Sequence, residues 1–261
     1  MFSLEIASGP EGHDLLVAEL WEQGCAGITE LGEGRIRAFF EDSADRSTLL
    51  EQYPQAAFHA EEERDWVAAA RSLLEPMSVG TRFFLVPEWR DDATPPGRFR
   101  ITVNPGMAFG TGVHETTRLC LEALEDFLKP GMTVLDVGTG SGILAEAAGF
   151  LGAAKVFACD VDPVAVQIAR ARCGTSFVGS VDAIRSAVAD VTVANISPEA
   201  AIQLAPDLLR SLRPGGILLA SGFEAHEAEL VKGAMPPCRE VRTKGNWALA
   251  VIPVAAPVQR R

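Results

Sequence analysis

The stretch that decides the fold runs from Val134 to Gly142 and reads VLDVGTGSG. Its apolar first half has the composition of a buried strand, and an apolar run from Ile143 to Leu151 follows the glycines. The pattern predicts a strand, a tight glycine turn and a helix. Glycines at such a turn let the backbone approach a ligand closely, as in the nucleotide-binding half of a doubly wound sheet.

The spacing of the glycines separates two kinds of ligand. Gly138, Gly140 and Gly142 form G-x-G-x-G, whereas dehydrogenases seat a dinucleotide pyrophosphate on G-x-G-x-x-G. S-adenosylmethionine (SAM) has no phosphate, only an amino-acid tail, a sulfonium and a nucleoside. We therefore expect Gly138 and Gly140 to allow close approach of SAM, and Asp136 to face its ammonium directly or through water. The alternative is a plain tight turn with no ligand.

An acid ends the next apolar segment, Val156-Phe157-Ala158-Cys159-Asp160. A carboxylate at this place accepts hydrogen bonds from the two ribose hydroxyls of a bound nucleoside, and we assign that role to Asp160. Asp162 precedes Pro163, which is the pattern of a helix N-cap with proline in the first turn.

Asn195 follows the apolar segment 190–194, where the carboxyl edge of a parallel sheet would lie. Its side-chain carbonyl is suited to hold a substrate nitrogen, and we interpret it as both a catalytic and a cofactor-binding residue. The alternative is a helix cap, a role that Asn195 or Ser197 could fill.

The segment from Asn104 to Thr117 reads NPGMAFGTGVHETT and is rich in glycine. Such a loop acts as a lid or a clasp over a ligand. Thr117 opens the following helix and is expected to face the cofactor tail, while Phe109 could cover the adenine or the methyl group. His114 could act on a substrate amine or simply hydrogen-bond the loop.

Strand and helix patterns alternate from Glu115 onward, which implies a mostly parallel sheet covered on both faces. A short turn at 244–246 joins the last two strands and predicts an antiparallel hairpin at the sheet edge. Helices are predicted at 116–128, 142–152, 163–172, 199–212 and 224–235. Strands are predicted at 81–87, 99–103, 132–137, 155–160, 176–179, 190–195, 216–221, 239–243 and 247–254.

Three parts are expected along the chain. Residues 1–58 give strand, helix, strand, strand and helix, which is the layout of a small α+β ferredoxin-like domain. Residues 59–76 predict a linker helix, and residues 77–261 form the doubly wound, Rossmann-like domain. The sheet, its terminal hairpin and this small first domain together define an α/β fold class.

Length and charge limit the function. The 261 residues suit one large or two smaller domains, and the net charge of −12 argues against a binder of nucleic-acid phosphates and for a neutral or basic partner. A merely acidic, soluble surface is the alternative. The five cysteines have no disulfide or zinc spacing and are expected to be reduced thiols, so no metal site is predicted. No signal peptide and no membrane span are expected, and we anticipate a cytoplasmic monomer.

These motifs resemble the PrmA family, the methyltransferases of ribosomal protein L11. The resemblance is carried by the lid motif 104–117, the glycine turn 136–142, the acids 160–163, and Ala194-Asn195-Ile196. It implies SAM contacts at Thr117, Gly138, Asp160 and Asn195, and a product S-adenosyl-L-homocysteine. It also implies that the first domain recognises the ribosomal protein so that one active site reaches lysine ε-amines and the N-terminal α-amine.

Several other functions remain open at this point. The chain could be a PrmA-like lysine methyltransferase that acts on a different protein, or a non-enzymatic SAM-binding module. A nucleic-acid methyltransferase is disfavoured by the charge, and a nicotinamide dehydrogenase by the glycine spacing and the terminal hairpin. The sequence departs from the family pattern at Val113 in the lid.

Overall fold

The computed structural model describes residues 1–7, 13–32, 34–60, 75–104 and 114–256. The chain divides into two compact units, Met1–Leu73 and Leu74–Arg261. The predicted boundary at residue 58 falls inside a strand of the first unit. Most of the predicted linker helix lies outside the described residues.

The first unit has a ferredoxin-like order of elements. They are β1 (Phe2–Ala7), α1 (His13–Glu22), β2 (Gly27–Gly32), β3 (Arg35–Phe40), α2 (Arg46–Gln52) and β4 (Ala57–Ala60). The sheet order is β2-β3-β1-β4 and all its pairs are antiparallel. Alternate residues of β1 and β3 form the core, because successive side chains of a strand point to opposite faces. Strand β4 was missed because it is short and largely exposed.

The second unit begins with a small sheet that the sequence analysis did not separate from the main one. Strands β5 (Met77–Val79), β6 (Phe83–Pro87) and β7 (Phe99–Val103) form it, with β5 antiparallel and β7 parallel to β6. Strand β5 was not predicted, since three residues carry too little periodicity to indicate a strand.

A seven-stranded sheet forms the centre of the second unit, in the order β10-β9-β8-β11-β12-β14-β13. Its strands are β8 (Thr133–Val137), β9 (Lys155–Asp160), β10 (Ser176–Val178), β11 (Ala189–Asn195), β12 (Leu212–Glu224), β13 (Glu240–Lys244) and β14 (Trp247–Pro253). Only β14 runs against its neighbours, so the prediction of a mostly parallel sheet with a terminal antiparallel hairpin is confirmed.

Helices cover both faces of this sheet. They are α3 (Glu115–Phe127), α4 (Ile143–Phe150), α5 (Pro163–Ala169), α6 (Pro198–Ser211) and α7 (Ala228–Gly233). The apolar residues of α3 and α4 share one core with Val134, Val193 and Leu219, whereas α6 packs into the core that contains Leu135 and Ala220. Because α4 and α6 follow the adjacent strands β8 and β11 to opposite faces, a crevice opens between these two strands at their carboxyl ends.

One predicted helix is wrong in extent. The segment 224–235 contains a 3-10 turn at Ala225–Glu227 and only a short helix, α7. The reason is that β12 continues to Glu224, three residues beyond its predicted end, and pairs there with Trp247 of β14. No helix in the described parts of the chain is long and apolar enough to cross a membrane.

Candidate active site

The glycine turn after β8 has the backbone conformation that its sequence predicts. Gly138, Gly140 and Gly142 have φ angles of 69°, 52° and 79°, in the left-handed region that favours glycine. A Cβ at Gly138 would also overlap Cγ2 of Ile196, which follows β11. Position 138 therefore requires glycine for two reasons, and the turn lies directly against the end of β11.

Asp136 lies beneath this turn and is fully buried. Its Oδ2 accepts hydrogen bonds from Oγ1 of Thr139 at 2.6 Å and from the backbone N–H of Ala145 at 3.1 Å, while Oδ1 has no partner. Burial raises the pKa of Asp136 to about 7, and the two hydrogen bonds oppose that rise. The contacts present join the turn to α4, and contact with a ligand ammonium stays a prediction.

The two acids after β9 have different roles in the structure. Asp160 accepts from the backbone N–H of Gly140 through Oδ2 at 2.9 Å and from that of Asp162 through Oδ1 at 3.0 Å. It thus ties the glycine turn to the end of β9. Asp162 accepts from Val164 N–H at 2.8 Å as the N-cap of α5, with Pro163 in the first turn, and this prediction is confirmed. The ribose role of Asp160 stays a prediction.

Asn195 is the last residue of β11 and only 8% exposed. Its Nδ2 lies 3.5 Å from Oγ1 of the fully buried Thr117, to which it donates, whereas its Oδ1 has no partner. The helix-cap alternative for Asn195 is wrong, because Ser197 caps α6 by accepting from Ala200 N–H at 3.3 Å. An unpaired buried carbonyl is costly, so this oxygen is a strong acceptor for a ligand N–H.

His114 is the N-cap of α3. Its Nδ1 lies 2.8 Å from Oγ1 of Thr116 and accepts from Thr116 N–H at 3.4 Å. Its ring also packs edge-on against Trp247, with centroids 4.4 Å apart. These contacts give the histidine a structural role, and its action on a substrate amine stays a prediction. Phe109 lies outside the described residues, as does the lid from 105 to 113.

A cavity of about 300 Å³ brings several of these residues together. Its lining residues are His114, Thr116, Asn195, Ile196, Ser197, Gly222 and Trp247. Sequence reasoning missed Gly222 and Trp247, which enter from β12 and β14. The short turn at 244–246 joins β13 to β14, and Trp247 reaches the cavity because β14 also pairs with β12, where Trp247 lies opposite Glu224. No group of three His, Cys, Asp or Glu side chains in the described parts of the chain could hold a metal ion.

Comparison with known proteins identifies the family. The model of the ribosomal protein L11 methyltransferase (PrmA) family matches residues 17–251. The chain belongs to the PrmA family. The predicted resemblance is thereby confirmed, and the match extends into the first unit, beyond the motifs at 104–196 that carry the resemblance.

Curated PrmA proteins are similar over most of the chain. The ribosomal protein L11 methyltransferase of Symbiobacterium thermophilum is 45% identical over 73% of this chain and 64% of its own length. Those of Pelobacter propionicus and Deinococcus radiodurans are 36% and 37% identical, over 85% and 88% of this chain and 82% and 90% of their own lengths. The match thus spans slightly less than two thirds of the Symbiobacterium protein.

A solved PrmA structure has the same fold. The crystal structure of ribosomal protein L11 methylase from Lactobacillus delbrueckii subsp. bulgaricus is 29% identical, with a TM-score of 0.62 over 69% of this chain and 100% of its own. The Rossmann-like methyltransferase fold class is therefore confirmed.

Proposed function

We propose that this chain is a SAM-dependent protein N-methyltransferase that transfers methyl groups to lysine ε-amines and the N-terminal α-amine of ribosomal protein L11. Membership of the PrmA family supports the reaction class and the substrate. The observation that carries the proposal is the buried, unpaired Oδ1 of Asn195, a residue that lines the cavity and precedes Ile196, which contacts the glycine turn. An acceptor in this place suits an amine donor.

The residues at the crevice between β8 and β11 fit SAM. Left-handed glycines at 138 and 140 form the tight turn beside this crevice, and Asp160 at the end of β9 can accept from ribose hydroxyls with its remaining lone pairs. Thr117 and Asn195 close the other side of the crevice. When bound, SAM supplies a methyl group already activated by a sulfonium, so no residue needs to activate it.

The protein's task is then to bind and orient a neutral amine. A free lysine has a pKa of about 10.4, and transfer from water to a buried cavity favours its neutral form. Oδ1 of Asn195 accepts one N–H, which directs the nitrogen lone pair away from the amide and fixes the attack geometry. Orientation of this kind contributes up to about 7–11 kcal/mol to a bimolecular reaction.

Trp247 also has a role in this proposal, in the stabilisation of the methylated product. Methyl transfer turns the neutral amine into a cationic ammonium, and further methylation gives a permanently charged group. An aromatic side chain that lines the cavity, such as Trp247, stabilises such a cation by about 0.5–2 kcal/mol when the cation lies over its ring. The antiparallel pairing with Glu224 fixes the backbone that carries the indole.

The partner is inferred from charge and domain organisation. A net charge of −12 favours association with a basic ribosomal protein and gives no general attraction to nucleic-acid phosphates. The first unit is assigned to substrate recognition, since the predicted cofactor residues all belong to the second unit. A cytoplasmic monomer completes the proposal.

A methyl-transfer assay on Asn195→Ala tests the central role. Turnover with L11 at saturating SAM should fall at least about 100-fold, since orientation of the nitrogen is lost. SAM affinity by calorimetry should change far less. Asn246→Ala is the matched control, because Asn246 is an exposed amide that does not line the cavity.

Three outcomes would contradict parts of the proposal. Loss of SAM affinity with intact turnover would remove the orienting role of Asn195. Binding of SAM without methyl transfer to any protein would favour a non-enzymatic module. Methylation of another protein but not of L11 would favour a PrmA-like enzyme with a different substrate.

A further inference from the structure

A second cavity, of about 320 Å³, lies at the amino-terminal ends of the strands of the seven-stranded sheet, opposite the ends that carry the candidate active site. Thr133 at the start of β8 and Lys155 at the start of β9 contribute to its lining, together with Arg185, Ser186 and Arg213. The five residues of β8 separate this edge from the glycine turn by about 15 Å, at roughly 3.3 Å per residue. This cavity is therefore distinct from the candidate active site.

The charge of this cavity opposes the charge of the chain. Its lining carries three cationic side chains, although the net charge of the protein is −12. Arg213 pairs with Oδ2 of Asp190 at 2.6 Å. Lys155 and Arg185 form no ion pair with any residue that the structure describes. Both side chains are exposed at the cavity, so their charges are accessible to an anionic ligand.

The backbone beside these cations is held in an unusual conformation. Ala187 has a φ of 55° and is the one non-glycine residue with positive φ among those described. Its N–H donates to the carbonyl of Arg210 at 3.0 Å, and Val188 N–H donates to that of Ser211 at 2.8 Å. The end of α6 thus holds the segment that presents Arg185 to the cavity. Non-glycine residues with such strained backbone angles occur more often at functional sites than elsewhere in proteins.

Arg213 is also held in place before any ligand arrives. The Asp190 carboxylate that pairs with it accepts the backbone N–H of Thr133 at 2.7 Å through the same oxygen. This bridge fixes the arginine relative to β8, so less side-chain entropy is lost when an anion binds.

We propose that this cavity binds a nucleoside monophosphate, free or as part of an RNA chain. Lys155, Arg185 and Arg213 would contact the phosphate, for which arginine is especially suited. The ring of Phe157, which also lines the cavity, would contact the base, since any base can stack on an aromatic ring. The proposal does not depend on methyl transfer at the other edge.

Calorimetric titration of the full chain tests this site with uridine 5′-monophosphate, uridine and a short oligouridylate. A uracil probe avoids the expected adenosine site. The monophosphate should bind at least about tenfold more tightly than uridine, because charge-assisted hydrogen bonds to phosphate supply most of the affinity. Raising the salt concentration from about 50 to about 300 mM should weaken the binding of the monophosphate but not the binding of uridine.

A charge-neutralising variant makes the test specific. The double variant Lys155→Gln and Arg185→Gln should weaken binding of the monophosphate at least about tenfold. Lys232→Gln, a cation on α7 outside the cavity, should change it less than about twofold. Oligouridylate binding more tightly than the monophosphate would identify RNA as the source, and equal affinity would identify a free nucleotide.

Two results would overturn the proposal. One is that uridine binds the unmodified chain as tightly as uridine 5′-monophosphate does. This measurement does not depend on the folding of any variant. The other is unchanged affinity for the monophosphate in a double variant whose thermal midpoint equals that of the parent.

Discussion

At position 114 the histidine acts through its ring as a helix cap. Because asparagine is also a good N-cap, His114→Asn should keep most of the stability and turnover, whereas His114→Ala should lose about 1 kcal/mol of unfolding free energy. Thermal unfolding and the methyl-transfer assay on both variants measure this. If His114 moved a proton during the reaction, His114→Asn would be as inactive as His114→Ala.

Asp136 makes the stability of the unliganded chain depend on pH. Its pKa is raised from 3.8 to about 7 in the folded state, so its contribution is fully present below 3.8 and is lost as the pH rises through about 7. The loss amounts to at most about 4 kcal/mol.

Replacing Asp136 by asparagine should remove this pH-dependent contribution to the free energy of unfolding. The free energy of unfolding in urea, measured at pH 5 and pH 8, should fall more for the parent chain than for Asp136→Asn. The difference between the two chains isolates this carboxyl from other titrating groups. Equal falls in both would mean that Asp136 is ionised throughout.

At the scale of elements, the end of β11 is enclosed by two glycines. Ile196 faces Gly138 of the turn after β8, and its backbone occupies the space where a Cβ of Gly222 would lie. Its N–H also donates to the carbonyl of Ser221 in β12 at 3.1 Å. The position of Asn195 is thus determined by contacts with two neighbouring strands as well as by its own.

Gly222→Ala tests this arrangement. Gly222 has a φ of 100°, and an added methyl group would displace Ile196, so we expect a loss of about 1–3 kcal/mol in stability and a marked fall in turnover. Gly149→Ala is the control, since Gly149 lies in α4 with open space around it and should gain about 0.5–1 kcal/mol. Similar effects of the two substitutions would show that contact with Ile196 does not position Asn195.

At the scale of the whole molecule, each unit has its own hydrophobic core. Phe2, Phe40 and Leu20 belong to the core of the first unit, while the second contains two large clusters on the faces of its main sheet. Separate cores are expected to fold separately.

A chain that begins at Leu74 should therefore fold and bind SAM. It should lose most of its activity on L11, because the catalytic unit would then meet its target amines by diffusion alone. Calorimetry with SAM and the methyl-transfer assay on L11 decide this, with the intact chain as reference. Full activity of the shortened chain would assign substrate recognition to the second unit.

What the sequence determined by itself is mostly local. The left-handed glycines at 138 and 140, the cap at Asp162 before Pro163, and the alternation of strands and helices follow from conformational preferences over a few residues. These preferences act within one turn or strand, so the main sheet class and the PrmA resemblance could be predicted from them. The hairpin at the end of the chain was predictable for the same reason.

Tertiary structure decided what depends on distant partners. Short strands β4 and β5 exist because neighbouring strands pair with them, and the shorter α7 follows from the extension of β12 along β14. The Asn195 amide meets Thr117 across 78 positions, and Trp247 reaches the cavity only because β14 lies beside β12. Burial of Asp136 likewise arises from packing around the turn. Such contacts join residues far apart in the chain, and no local pattern of residue types encodes which side chains will share a cavity.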